Sequence, residues 1–109
     1  MYLPAITFLF FTLAYAAIND PCHVPGRGSG VCVTTQNCAR DGGTSTRNYC
    51  PNDPDNVRCC TKAPCGPSGQ CGSCMWTSDC TPPTWRLGPV GECPGPAGFR
   101  CCLPRPGLC

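Results

Sequence analysis

Fourteen cysteines in a chain of 109 residues constrain the possible folds more than any other feature of the sequence. Ordering each residue costs about 1.5 kcal/mol of free energy. The chain has too few large apolar side chains for their burial alone to offset that cost. Disulfides typically contribute about 2–4 kcal/mol each, so they must supply much of the stability. The sequence therefore predicts a small disulfide-rich fold that forms in an oxidising compartment.

The N-terminal segment, residues 1–16, has the pattern of a secretory signal peptide. It carries no charged side chain, and an apolar run extends from Ala5 to Ala14. The run ends in Ala14-Tyr15-Ala16, the small-x-small pattern that signal peptidase requires. A membrane anchor is the alternative, but the run is shorter than the ~20 residues that span a hydrocarbon core. We therefore predict a secreted, extracellular protein without stable membrane insertion.

The rest of the chain contains two copies of one cysteine pattern, related by a shift of about 42 residues. The first copy has the spacing C-x9-C-x5-C-x11-C-x8-CC and the second C-x8-C-x5-C-x12-C-x7-CC. We assign residues 17–62 to a first unit and residues 63–109 to a second, with a shared linker at about 63–69. The cysteines of the two patterns are Cys22, Cys32, Cys38, Cys50, Cys59 and Cys60, and then Cys65, Cys74, Cys80, Cys93, Cys101 and Cys102.

Two further cysteines, Cys71 and Cys109, fit neither copy of the pattern. The simplest assignment bonds them to each other, which ties the C-terminal tail to the second unit. If each unit closes on itself, its six cysteines allow 15 pairings. An adjacent pair such as Cys59 and Cys60 is too strained to bond internally. The other pairings stay open at this point.

Turns and short strands are the local structures that the sequence favours. Proline-rich segments such as residues 51–56 and 81–83 cannot maintain a helical hydrogen-bond ladder. The β-branched segment 31–35 predicts a strand, and segments 57–60 and 99–102 predict closing strands that end in the CC pairs. We therefore expect two tandem units of short antiparallel β-strands and irregular loops, with two or three strands in each and little helix.

No residue set in the sequence is typical of catalysis, and we predict that the protein is not an enzyme. His23 is the only histidine, and its position beside Cys22 provides neither a nucleophile nor an orienting acid. The C-x-x-C spacing at residues 71–74 is expected to be structural in a secreted chain with an even cysteine count. Asp53 and Asp55 lie in a turn where short carboxylates usually cap backbone amides rather than bind calcium. We expect no metal and no cofactor.

Aromatic side chains are the strongest binding candidates, since a flat apolar face with a hydroxyl or N–H suits a sugar ring. Tyr49 and Trp76 align with polar residues of the other copy, and Trp85 has no clear counterpart. A position that is polar in one copy need not be buried in the shared fold. We therefore name Trp76, Trp85 and Tyr49 as candidate ligand contacts. The net charge of +2 is too weak for nucleic-acid binding.

Several strings of the sequence resemble a known type of secreted module. They include Gly30-Val31-Cys32-Val33-Thr34-Thr35, Tyr49-Cys50-Pro51-Asn52-Asp53-Pro54-Asp55-Asn56 and Cys93-Pro94-Gly95-Pro96. Over almost the whole mature chain, the sequence resembles duplicated cysteine-rich modules at the N-termini of secreted fungal lysozyme-like and peptidoglycan-peptidase proteins. The resemblance implies association with the cell wall. The 109 residues hold no catalytic domain beside the module, so we expect no hydrolase activity to carry over.

The cysteine order, four separated cysteines and then a CC pair, is also similar to the β-defensin framework. That resemblance implies pairing of the first cysteine with the fifth, the second with the fourth and the third with the sixth. The implied pairs are Cys22–Cys59, Cys32–Cys50, Cys38–Cys60, Cys65–Cys101, Cys74–Cys93 and Cys80–Cys102. The similarity concerns the scaffold, because a membrane-lytic peptide needs a strongly cationic face that this chain lacks.

Together these observations predict a secreted, monomeric, non-enzymatic binding module for cell-wall glycan, either chitin or peptidoglycan. Two weak sites in tandem bind a polymer more tightly than one site does, because binding at one raises the effective concentration of polymer at the other. An antimicrobial or host-directed effector is one alternative. A protease inhibitor is another, because a rigid loop such as residues 66–70 can be presented to an active site with little loss of entropy.

Overall fold

The structure is a computed structural model, and it describes residues 18–51, 54–66 and 71–106. The predicted signal peptide at residues 1–16 and most of the predicted inhibitory loop lie outside the described residues. The regular elements are β1 (Pro21–Val24), β2 (Gly28–Thr34), α1 (Thr35–Arg40), β3 (Thr44–Thr46), β4 (Val57–Thr61), β5 (Ser73–Trp76), a 3-10 turn (Thr77–Asp79), β6 (Trp85–Leu87) and β7 (Phe99–Pro104).

The strands form two antiparallel sheets, one from each half of the cysteine repeat. The first sheet has the order β1-β2-β4-β3 and the second the order β5-β7-β6. The predicted closing strands lie in β4 and β7, which are inner strands with a neighbour on both sides. The first sheet has one strand more than expected, because residues 21–24 fold back onto β2 and add an edge strand. The predicted fold class is confirmed: a small disulfide-rich protein of short antiparallel strands, irregular loops and little helix.

Helix α1 was not predicted from the proline-rich sequence, but a local signal explains it. Thr34, the last residue of β2, takes the N-cap position, and its Oγ1 accepts a hydrogen bond from the Asn37 N–H at 3.2 Å. Threonine is favoured there because its hydroxyl satisfies an N–H group that the first turn leaves unpaired. Cys38 on this helix bonds to Cys60 of β4, so a disulfide fastens the helix to the sheet.

Six disulfides link the described residues, and they are the six pairs that the β-defensin order implies. They are Cys22–Cys59, Cys32–Cys50, Cys38–Cys60, Cys65–Cys101, Cys74–Cys93 and Cys80–Cys102. Each bond joins residues of one repeat copy, so each sheet is fastened by its own set. Cys71 is also disulfide-bonded, whereas Cys109, its predicted partner, lies outside the described residues.

The CC pairs place sulfur atoms on both faces of each sheet, because neighbouring residues of a strand point to opposite sides. In the first sheet, Cys59 lies in a buried cluster with Val24, Cys32 and Val57. Cys60, the next residue, lies in a separate buried cluster on the other side. Disulfides thus fill the positions that larger aliphatic side chains occupy in an ordinary core.

The cluster around Cys60 is shared by the two halves of the chain. The first sheet contributes Val31 and Val33, and the second contributes Phe99 and Leu103. These four side chains are at most 3% exposed. The two repeat units therefore pack their sheets against each other and share one hydrophobic core.

Candidate binding surface

Strand pairing determines which side chains of the second sheet share a face. Directly paired residues of antiparallel strands point to the same side, and successive residues of a strand alternate. Trp76 pairs with Phe99, whereas Trp85 pairs with Pro104. Phe99 and Pro104 are an odd number of residues apart on β7, so they point to opposite faces. The structure thus separates Trp76 from Trp85, and these two predicted contacts do not form one surface.

Trp76 lies between the two sheets and takes part in the shared core. Its indole Nε1–H donates a hydrogen bond to the Gly30 carbonyl oxygen of β2 at 3.0 Å. Its ring packs on Phe99 with 5.2 Å between the ring centroids and 51° between the ring planes. Both its ring and its N–H are therefore engaged in the packing of the two sheets.

The two copies of the repeat differ at this position because their surroundings differ. Trp76 aligns with Thr34 of the first copy, and Thr34 caps helix α1. The second sheet presents its Trp76 side to the first sheet. The first sheet packs against this side with the face that carries Val31 and Val33, which is opposite to the face that carries Thr34. The face with Thr34 in the first unit and the equivalent face with Trp76 in the second unit therefore have different neighbours.

Polar contacts close the edges of this interface. The Lys62 ammonium donates to the backbone carbonyl of Glu92, and the Gly66 N–H donates to a Glu92 carboxylate oxygen at 3.3 Å. The Cys74 N–H donates to the Lys62 carbonyl oxygen at 3.0 Å. Glu92, the single glutamate of the mature sequence, therefore joins the two units.

The face of the second sheet that points away from the shared core carries Met75, Trp85, Leu87, Arg100 and Pro104, and we call it the Trp85 face. Leu87 is 47% exposed, and Met75 and Trp85 are partly exposed. The Trp85 indole N–H has no hydrogen-bond partner among the described residues, in contrast to that of Trp76. The Trp85 face is therefore a partly exposed apolar surface that still offers a donor.

Arg100 fastens the segment that follows β6 to the Trp85 face. Its Nε and Nη2 donate to the Gly88 carbonyl oxygen at 3.0 and 2.8 Å. The Gly88 N–H in turn donates to the Cys101 carbonyl oxygen at 2.8 Å. The aligned Arg58 of the first unit likewise donates from Nε to the Asp55 carbonyl oxygen at 3.0 Å. The arginine before each CC pair thus holds a loop in both copies.

Tyr49, the third predicted contact, lies in the other half of the molecule, in the loop between β3 and β4. Its side chain is 38% exposed. The preceding residue, Asn48, has a φ of 74°, a left-handed conformation that asparagine tolerates better than most residues. Trp76 and Phe99 form the one aromatic ring pair of the described residues. The three predicted contacts therefore lie in three separate environments.

The loop between β3 and β4 also encloses a cavity of about 290 Å³. Its lining residues are Arg47, Asn48, Cys50, Pro51, Pro54, Asp55, Val57 and Arg58. Asp55 Oδ2 lies 3.2 Å from Arg58 Nη2 and 3.7 Å from Arg47 Nη2. The Asp55 carboxylate thus has guanidinium partners, which does not suit a calcium ligand. Asp53 lies outside the described residues. This cavity was not predicted from the sequence, because turn composition alone does not show which charged side chains meet.

Among the described residues, sulfur atoms lie close together at two places, but these groups do not offer thiolates. They are formed by Cys22, Cys50 and Cys59, and by Cys65, Cys74 and Cys93. Every one of these sulfurs belongs to a disulfide, and metal ligation or nucleophilic attack requires the thiolate. In the C-x-x-C motif, Cys74 bonds to Cys93 rather than to Cys71, as expected for a structural role.

Comparison with known proteins supports the assignment to the extracellular compartment. The chain is 38% identical over 90 residues to a protein of Arthroderma benhamiae that is named an uncharacterized secreted protein. The aligned region covers 83% of this chain and 34% of that relative, so the chain spans about a third of the relative's length. No family model and no solved structure matches the sequence. Within the described ranges, no helix is long and apolar enough to cross a membrane. The chain is a secreted, cysteine-rich protein stabilised by disulfides.

Proposed function

We propose that this protein is a non-enzymatic binding module for cell-wall glycan and that the Trp85 face is its main contact surface. One observation carries the proposal: the Trp85 ring is partly exposed, lies beside the exposed Leu87 and has an indole N–H without a partner among the described residues. Trp76 is engaged in the shared core, and Tyr49 lies in the other half. Trp85 is therefore the strongest of the three predicted contacts.

The chemistry of the Trp85 face fits a pyranose ring. An indole offers a flat apolar face for the C–H groups of the sugar and an N–H donor for a hydroxyl. Leu87, two residues further along β6, extends the apolar surface on the same face as Trp85. The Cys80–Cys102 disulfide and the Arg100 hydrogen bonds hold the strands and loop in place, so binding requires little additional ordering.

Three of the described carboxylates have partners that support a structural role for them rather than hydrolysis. Glycoside hydrolysis usually needs two carboxyl groups that flank one scissile bond. Asp41 and Asp55 each pair with an arginine, and Glu92 accepts a hydrogen bond at the interface between the units. These groups lie on three different segments of the chain. His23 is exposed on the edge strand β1.

Retention of the oxidised protein on insoluble chitin and on peptidoglycan tests the proposal. We expect Trp85→Ala to weaken retention about tenfold, which corresponds to the loss of a single aromatic stacking contact. Trp85→Phe keeps an aromatic face and should retain most of the binding. Val90→Ala is the matched control, because Val90 is 70% exposed but lies outside both sheets. Absence of retention on both polymers, or equal retention of wild type and Trp85→Ala, would refute the proposal.

A further inference from the structure

We infer that Thr81 and Thr84 are sites of O-linked glycosylation, added while the chain passes through the secretory pathway. The two threonines flank Pro82 and Pro83, and we call residues 81–84 the proline turn. Serine and threonine combined with proline are the composition of O-glycosylated segments in secreted proteins, and this chain is a secreted protein. The modification requires no binding of glycan by the protein, so it does not depend on the proposed function.

Exposed hydroxyl side chains are concentrated at and just before the proline turn. Among the described residues, the exposed serines and threonines are Thr44, Thr77, Ser78, Thr81 and Thr84. Four of these five lie within residues 77–84, so one short segment holds most of the accessible acceptor groups of the described chain. Pro82 and Pro83 are exposed as well. An enzyme can therefore approach the whole turn from solvent.

The hydroxyl groups of Thr81 and Thr84 have no structural use among the described residues. A threonine in a turn often bonds through its hydroxyl to the nearby backbone, as Thr34 does when its Oγ1 accepts from the Asn37 N–H. Neither Thr81 nor Thr84 makes a side-chain hydrogen bond to another described residue. Both hydroxyls are thus available as acceptors, and attachment of a sugar to them disrupts no hydrogen bond of the described fold.

The backbone holds the proline turn outside regular secondary structure. The Thr81 carbonyl oxygen accepts from the Trp85 N–H at 3.0 Å, and the Thr84 carbonyl oxygen accepts from the Arg105 N–H at 3.0 Å. Proline lacks an N–H group and cannot continue a helix or the ladder of a sheet, so β6 begins only at Trp85. A glycosyltransferase therefore reaches the two threonines without opening a helix or a strand.

The first copy of the repeat has no equivalent of the proline turn. When Cys38 is aligned with Cys80, residues 81–84 correspond to Ala39, Arg40, Asp41 and Gly42. None of these four residues carries a hydroxyl, and the first two belong to helix α1. The cysteine framework therefore does not require threonine or proline at these positions, and the acceptor site belongs to the second unit alone.

The reaction is the transfer of a sugar from a phosphate-activated donor. The threonine Oγ1 forms a bond to the anomeric carbon of the sugar, and the bond between that carbon and the phosphate oxygen of the donor breaks. The leaving phosphate keeps the electron pair of the broken bond, and the hydroxyl proton passes to a base of the transferase. The acceptor contributes only its hydroxyl, which Thr81 and Thr84 both expose.

Mass spectrometry of the full chain secreted from a fungal host tests the inference. We expect a mass above that of the mature polypeptide by whole sugar units, with the N-terminus determined on the same sample, and fragmentation should place the sugars on Thr81 and Thr84. The double variant Thr81→Val, Thr84→Val keeps the side-chain shape without the hydroxyls and should lose the added mass. The double variant Thr81→Ser, Thr84→Ser keeps the hydroxyls and should retain it. Thr44→Val is the matched control, because Thr44 is exposed but lies in β3, and it should leave the added mass unchanged.

Three results would overturn the inference. They are a secreted protein with the mass of the polypeptide alone, sugar attached only at other residues, and phosphate in place of sugar on Thr81 and Thr84. Trp85→Ala should carry the same added mass as wild type. Loss of glycan binding and absence of this modification are therefore measured separately.

Discussion

Removal of the Trp76 side chain is the most direct test of the shared core. The contact between its ring and Phe99 contributes about 0.5–1.5 kcal/mol, and the hydrogen bond to Gly30 about 0.5–1.5 kcal/mol. Truncation of a fully buried aromatic to alanine costs about 3–5 kcal/mol. Because Trp76 is half-buried, we expect Trp76→Ala to lower the free energy of unfolding by about 2–4 kcal/mol. Trp76→Phe loses mainly the hydrogen bond, so this variant should lower the free energy of unfolding by about 1 kcal/mol.

Guanidinium unfolding with the disulfides intact measures this loss. The disulfides keep each unit closed, so the variant should loosen the contact between the sheets first. Amide exchange at Cys74, whose N–H donates to Lys62 of the other unit, should then become faster. Trp85→Ala is the control, and its outward position predicts a loss below about 1 kcal/mol. Equal losses for Trp76→Ala and Trp85→Ala would refute the assignment of Trp76 to the interface.

Two further variants test how local positions support the disulfides. A Cβ at residue 43 would lie 2.4 Å from Cys60 Sγ and 2.9 Å from Cys38 Sγ, so Gly43→Ala should lower the free energy of unfolding by about 1–3 kcal/mol. Thermal unfolding of the purified variant measures this, and an unchanged Tm would contradict the close approach. Thr34→Ala removes the acceptor for the Asn37 N–H and should cost about 0.5–1 kcal/mol, measured by chemical unfolding. A stabilised Thr34→Ala protein would show that the cap does not hold α1.

The strands were accessible from the sequence because they depend on local pattern, whereas the disulfide pairs were implied only by the resemblance to the β-defensin order. Residues 57–60 and 99–102 combine an apolar residue with a CC pair, and both form inner strands. The pairing implied by the β-defensin order agrees with all six bonds among the described residues. Helix α1 was not expected, although Thr34 ahead of Asn37 is the kind of local signal that indicates an N-cap.

The candidate contacts were harder to predict, because exposure depends on which sheet faces meet. In the alignment of the two copies, Trp76 corresponds to the polar residue Thr34, which indicated that this position need not be buried. In the structure, Trp76 is covered because the second unit packs that side against the first. The cavity of the first unit was not predicted for a similar reason: Arg58 and Asp55 are close in sequence, but Arg47 reaches them only through the pairing of β3 with β4.

By itself, the sequence determined a secreted chain with little apolar core, a duplicated cysteine framework and short antiparallel strands. Only the tertiary structure decided which tryptophan packs against the other unit and which lies on an outward face. The physical reason lies in the CC pairs: Cys59 and Cys60 point to opposite faces, as do Cys101 and Cys102, so each sheet carries apolar sulfur on both sides. The alternation of residues along a strand therefore does not distinguish the covered face of a sheet from the exposed one. The packing of the two units determines which face is covered.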